Sequence, residues 1–427
     1  MKLTRRTFLV ASASAAVAAT AKSPAADSAL NPQARTLKPA PVTDGALEEA
    51  AAQTVLDLKG FKDPVIIESI QLLKKGREHF VRVRSKDGAE GIAVDNGRAD
   101  LLHPILQQLV IPYFLGKDAR DLEAHLFGVY RDKSNYKLQG MAFWCPVALV
   151  ELAILDLLGR LANKSIGELL GGVLRTRVPF YVASGRRDTT PEQEVEYLQR
   201  LLEETGAKAV KYRVGGRMNR NQDALPGRTE KLIPLSRKTL GDDIAIHADS
   251  NSSYDPPQAI RVGRMLEDIR AVFFEEPCPF DNLEANRKVT DALTIPVALG
   301  EQEYSQWRFQ YTIRERVADI MQPDLFYYGG LIRSIRVARM AALRDMPTTP
   351  HISGGFGFVY MLHFASCVAK IGSWQEYKEG VKPYGKLFHP PLRIVDGALT
   401  VPQGPGVGLA EPKELLKDAE LVNGGAM

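Results

Sequence analysis

The chain has 427 residues, 45% of them hydrophobic and 25% charged, ordinary globular proportions that exclude a disordered chain, a collagen-like repeat and a bundle of membrane helices. That length suits a barrel of the usual size with a smaller companion domain. The formal charge of +4 is spread along the sequence, without the basic stripe and interleaved aromatics that track a phosphate backbone, so nucleic acid is not an expected partner.

Residues 1–21 open with the pair Arg5-Arg6, followed by Phe8-Leu9 and a weakly apolar Ala/Ser/Val run ending near Ala19-Thr20-Ala21. This resembles a twin-arginine export signal and predicts an exported, periplasmic protein. The run is too short and too weakly apolar to predict a membrane span. Residues 22–61 are rich in Ala, Pro, Ser and Thr with no sustained apolar period, and a flexible tether is expected there. An α+β domain is expected over 62–176: strand-like segments at 65–72, 79–84 and 91–94, a turn at Asp87-Gly88, and a helix over 147–161, where apolar residues recur at three- and four-residue steps. Cys145, Cys278 and Cys367 are odd in number and lie far apart, which gives no disulfide framework and makes them packing residues.

Over 177–390 short apolar runs such as Ile244-Ala245-Ile246, Val272-Phe273-Phe274 and Val297-Ala298-Leu299 alternate with amphipathic segments of helix length, the pattern of a parallel sheet. The polar residues that close the runs fall at 211, 249, 275, 301, 324, 351 and 376. Each interval is about one βα unit, and six units in succession predict an α/β fold of the (β/α)8 barrel type, with its site at the C-terminal ends of the strands.

Three of those closing residues are acids: Asp249 in Asp249-Ser250-Asn251, Glu275 in Glu275-Glu276-Pro277, and Glu301 in Gly300-Glu301. In a barrel they converge, and like charges brought together need a cation between them. An all-oxygen donor set suits Mg²⁺. In Lys211-Tyr212-Arg213 the alternation of a strand turns Lys211 and Arg213 to one face, toward the mouth. Asp324 and His351 end adjacent units, so the carboxylate can orient the imidazole and raise its basicity. Glu376 ends the next unit, as a hydrogen-bond donor to developing charge or as a partner for Lys378. His363 and His389 read as structural.

In this order, a K-x-K-type strand, a D-x-N strand, an E-E-P strand, a G-E strand, a P-D strand and a His-bearing strand resemble the enolase superfamily, and within it the mandelate racemase-like group, from about residue 62 to the end. The resemblance implies a capping domain over 62–176 and a segment, 391–427, that returns to it. It implies Mg²⁺ held by Asp249, Glu275 and Glu301, with His351 as general base paired to Asp324. It further implies Lys211 at the substrate carboxylate, Glu376 hydrogen-bonded to the enediolate, and an even-numbered homo-oligomer. Active sites of that superfamily pair a His or Lys base with Mg²⁺. One departure matters: Arg213 stands where the racemase pattern has a second Lys, and arginine is a poor base. Elimination needs only one acid–base group, so dehydration of a small-molecule sugar acid is the expected reaction. Epimerisation of a hydroxy acid or amino-acid derivative, with Lys211 as the second base, and an exported binding protein without turnover are the alternatives. Asn251 is a candidate substrate contact. Specificity is expected from loops at 95–98 and 130–136, where Lys133 and Tyr136 either bind a polar substrate tail or form a solvated basic loop.

Overall fold

The structure, a computed structural model, describes residues 41–378 and 382–422. The expected export signal lies outside these residues. Three strands, β1 (Ile67–Lys75), β2 (Glu78–Ser85) and β3 (Glu90–Val94), form an antiparallel meander. The helix Met141–Ala162 packs across β2 and β3, longer than the sequence period indicates, and every residue from Phe143 to Gly159 is buried. Its mean hydropathy of 1.9 and its 22 residues would suffice to cross a membrane, but 89% of its apolar window is buried inside the fold. The sheet approaches it so closely that a Cβ on Gly91 would lie 2.1 Å from the Ala153 carbonyl oxygen.

Eight parallel staves close the second domain. Six are the consecutive strands β4 (Arg177–Ala183), β5 (Ala209–Arg213), β6 (Ala245–Asp249), β7 (Phe273–Glu275), β8 (Val297–Leu299) and β9 (Ile320–Met321). The seventh, around 348–351, is reduced to single bridges, Met321 to Thr348 and Asp324 to His351. Pro347 precedes it and Pro350 lies within it, and neither has an N–H to extend a ladder. The eighth runs from the Thr348–Ile371 bridge to β10 (Gln375–Tyr377), which pairs with β4 and completes the circle. Inside, small Ala209, Ala245 and Ala298 fit against large Tyr181, Phe273 and Ile320, so the barrel is a packed core. His247 joins this plug, its ring 4.4 Å from that of Phe273.

Two segments run between the domains. β11 (Ile394–Val395) and β12 (Ala398–Thr400) form a hairpin, and β12 pairs antiparallel with β4. β13 (Glu420–Leu421) then joins the edge of β1. The expected tether is corrected from residue 43 onward. Thr43 caps a helix, Asp44–Ala52, that packs on the barrel helix Leu331–Ala342. Leu47 is fully buried, and the Val55 and Leu56 amides donate to one oxygen of Glu123 at 2.9 Å. Leu47, Ala50 and Ala51 carry a helical period that alanine-rich composition masks.

Candidate active site

Parallel register carries the acids to one rim. Arg213, Asp249 and Glu275 are direct neighbours across β5, β6 and β7, and Glu301 follows β8 after Gly300, whose φ of +130° suits glycine. One carboxylate oxygen from each of Asp249, Glu275 and Glu301 lies within 4.8 Å of the others. All three residues are buried, and Glu275 Oε1 and Glu301 Oε2 have no hydrogen-bond partner. Buried carboxylates that converge with unused oxygens are costly unless a cation fills the gap, and a hard divalent ion fits this all-oxygen set.

Lys211 is fully enclosed beneath the triad, with Nζ 2.7 Å from Glu275 and from Glu376 and 3.7 Å from Asp249. Burial alone would depress its pKa, but Glu275 and Glu376 outweigh burial and raise it, so Lys211 is an ammonium. Arg213 is ion-paired to Asp249. His351 meets Asp324 through Nδ1 at 2.5 Å, and the Asp324 carboxylate is itself fixed by the amides of Phe326 and Tyr327, each at 2.7 Å. The other ring nitrogen, Nε2, faces Glu301 at 3.5 Å and accepts from Lys378 at 2.9 Å. This orientation leaves Nδ1 as the N–H and Nε2 as the basic atom. Burial opposes charging of the ring, but Glu301, Glu376 and Asp324 prevail over burial and Lys378, and the imidazole pKa is raised.

Glu376 sits between cations, 2.7 Å from Lys211 and 3.1 Å from Lys378. These and His351 overcome burial and hold its pKa well below the ordinary carboxylate range. In this structure Glu376 stands as the ion-pair partner of Lys211 and Lys378. Lys378, expected only as a partner for Glu376, also lines the cavity. In sequence only its position two residues past Glu376, just beyond the end of β10, marks it.

A cavity of about 370 Å³ opens over the triad and is lined by Arg98, Arg213, Arg217, Asn251, His351 and Lys378 among others. Arg98 comes from the expected 95–98 loop and donates to the Tyr327 hydroxyl at 3.3 Å. The 130–136 segment does not contribute: neither Lys133 nor Tyr136 lines the cavity, and Tyr136 is exposed with its ring against Tyr130. Glu276 and Arg217 line it without having been expected. His363 is buried, bonds the Val407 carbonyl and has its pKa lowered by burial to about 4, a structural residue. Cys145 and Cys278 are buried and Cys367 is half-buried, all free thiols.

Residues 52–171 match the N-terminal domain of mandelate racemase / muconate lactonizing enzyme, and residues 193–414 match the enolase C-terminal domain-like family. The arabinonate dehydratase of Saccharolobus solfataricus is 28% identical over 76% of this chain and 86% of its own. A crystal structure from Roseobacter denitrificans, provisionally named a racemase, is 36% identical with a TM-score of 0.77, covering 84% of this chain and 99% of that one. A mandelate racemase/muconate lactonizing protein from Paracoccus denitrificans, crystallised with magnesium, is 26% identical with a TM-score of 0.76 over 85% and 99% of the two chains. With both domains matched and three acids on one rim of the barrel, the chain belongs to the mandelate racemase/muconate lactonizing enzyme family of the enolase superfamily.

Proposed function

We propose that this protein is an exported, Mg²⁺-dependent dehydratase of sugar acids. The observation that carries the proposal is the seating of His351, with Nδ1 tied to Asp324 and Nε2 at the cavity beside the donor triad. A proton next to a carboxylate is weakly acidic, and its removal requires the resulting charge to be stabilised. Asp249, Glu275 and Glu301 are the residues that would hold Mg²⁺, which supplies positive charge at the substrate carboxylate. Lys211 and Arg213 add fixed positive charge beside them.

His351 takes the α-proton at Nε2, and Asp324 supports the imidazolium that forms. The same proton is then delivered to the β-hydroxyl, which leaves as water, and the enol product tautomerises to a 2-keto-3-deoxy acid. Lys211 is enclosed and does not line the cavity, and Arg213 is a poor base, so a single acid–base group serves the reaction. The resemblance to arabinonate dehydratase supports the same chemistry. Keto-acid formation from a library of sugar acids, dependent on Mg²⁺ and lost in His351→Asn with the fold retained, is the expected result. Full activity in that variant would sink the proposal.

The provisional name of the Roseobacter denitrificans relative favours a second reading, racemisation or epimerisation. Deuterium uptake from D₂O at the α-carbon without loss of water would select it. Export rests on Arg5 and Arg6. Cell fractionation is expected to place the full chain in the periplasm and to retain a variant carrying Arg5→Lys and Arg6→Lys inside.

A further inference from the structure

The mouth of the barrel is electrically divided, and Asn251 stands on the seam. Its Nδ2 faces acids, donating to Asp249 Oδ2 at 3.3 Å, Glu276 Oε2 at 3.4 Å and Glu301 Oε1 at 3.5 Å. Its Oδ1 faces cations, accepting from Arg187 and, at 3.5 Å, from Arg217. One neutral amide oxygen is therefore shared by two guanidinium groups. Arg213 is ion-paired to Asp249 and Lys378 to Glu376, but among the described residues no carboxylate lies within ion-pair distance of Arg187 or Arg217. Arg187 Nε is buried without a partner, and burial and the like charge of Arg213, Arg217 and Arg228 act on it against a smaller pull from Glu301. Arg217 is exposed, so the cost of unpaired positive charge falls on half-buried Arg187 until an anion arrives, and Arg217 is the guanidinium open to that anion.

The backbone that delivers Arg217 to the cavity is held in an unfavourable form. Arg217, Met218, Arg220 and Asn221 have φ of +53°, +54°, +50° and +71°, a region that side chains other than Gly, Asn and Asp rarely occupy. Three contacts impose it: the Met218 amide on the Asn251 carbonyl at 2.9 Å, the Asn221 amide on the Ser253 carbonyl at 2.7 Å, and Asn221 Nδ2 on Asp255 at 2.8 Å. Backbone forced in this way clusters where a side chain must be presented to a ligand.

We infer that the substrate carries two anionic groups, one reaching the acid half of the cavity where the metal would sit, the other seated on Arg217 with Arg187 behind it. The second group is a carboxylate or a phosphate at the far end of the sugar chain, since a guanidinium fork binds both in two-point fashion. The cavity, about 370 Å³, admits only a small ligand, so both ends of one molecule reach its walls. The neutral end of a sugar monoacid would leave the two guanidiniums without counter-charge. This inference rests on the sugar-acid reading above.

The test compares keto-acid release, with Mg²⁺, from an aldonate, the aldarate of the same configuration and the aldonate phosphorylated at its far end. The wild type, Arg217→Gln and Arg217→Lys are each assayed. The wild type is expected to favour an acid with two anionic groups by about 100-fold in kcat/KM, and whichever of the two prevails identifies the second group. Arg217→Gln is expected to remove most of that preference through KM, and Arg217→Lys to keep part of it. Equal kcat/KM for the aldonate and the two acids with a second anionic group, or a preference that survives Arg217→Gln, overturns the inference while dehydration stands. If no configuration of these acids in the library yields keto acid, the dehydratase reading fails. Calorimetric binding of the same three acids to His351→Asn, with and without Arg217→Gln, then decides the seat alone: tighter binding of an acid with two anionic groups that depends on Arg217 supports it, and equal binding overturns it.

Discussion

Asp324 gives one carboxylate oxygen to two backbone amides and the other to His351. An acid so fixed cannot follow a moving imidazole, so it sets both the ring's orientation and its tautomer. Asp324→Asn preserves shape but offers an amide that can present N–H to Nδ1, which favours the wrong tautomer. Turnover is expected to fall by about 10³-fold, within the range ascribed to a positioned acid–base group, with an unchanged circular dichroism spectrum. The triad, Lys211, Arg213, Asp324, His351 and Asn251 could be read from sequence because each sits at or just beyond the end of a barrel strand, where the βα period dictates position. Arg187 and Arg217 could not. They lie in loops with no period, and their placement depends on tertiary contacts such as the shared Asn251 oxygen.

At the level of elements, the helix Leu331–Ala342 begins at Gly330, which has no side chain to cap it. The cap comes from the other domain: Glu151, inside the long helix, accepts from the Leu331 amide at 2.8 Å and from the Ile332 amide at 2.9 Å. Removing a partner from buried amides costs roughly 1–3 kcal/mol for each group left bare, so Glu151→Ala is expected to lower the denaturation midpoint clearly. Burial pushes the Glu151 carboxyl up to about 8 against the pull of those amides. The folded protein then holds a proton that the unfolded chain releases above about pH 4.5, so this group favours folding at low pH and loses its contribution as pH rises toward 8. The fall in Tm between pH 5.5 and 8.5 is expected to be shallower in Glu151→Gln, which cannot ionise. The domain plan and most strands could be read from hydrophobic period alone. The helix Asp44–Ala52 could not, because its apolar face is largely alanine, and the seventh stave is barely a strand because of its prolines. Deleting residues 41–56 is expected to lower Tm by uncovering the face of Leu331–Ala342 that Leu47 now buries.

For the whole molecule, an ion bound at the triad joins β6, β7 and the end of β8, and any ligand that binds only the folded state stabilises it. At one hundred times its dissociation constant Mg²⁺ contributes about 2.7 kcal/mol. Thermal denaturation is expected to shift upward by several degrees with Mg²⁺, to return with chelator, and to be insensitive to Mg²⁺ in Glu301→Gln.

The pairing of β13 with β1 brings together Leu421 and Leu73, residues from opposite ends of the described chain. A ribosome makes the meander first and its fourth strand last, after every stave of the barrel has emerged. The cap therefore waits, with the outer edge of β1 unpaired, through the synthesis of the whole catalytic domain. Its sheet reaches full width only when the barrel beneath it can already be closed, so the completed edge reports that every stave of the barrel has been made.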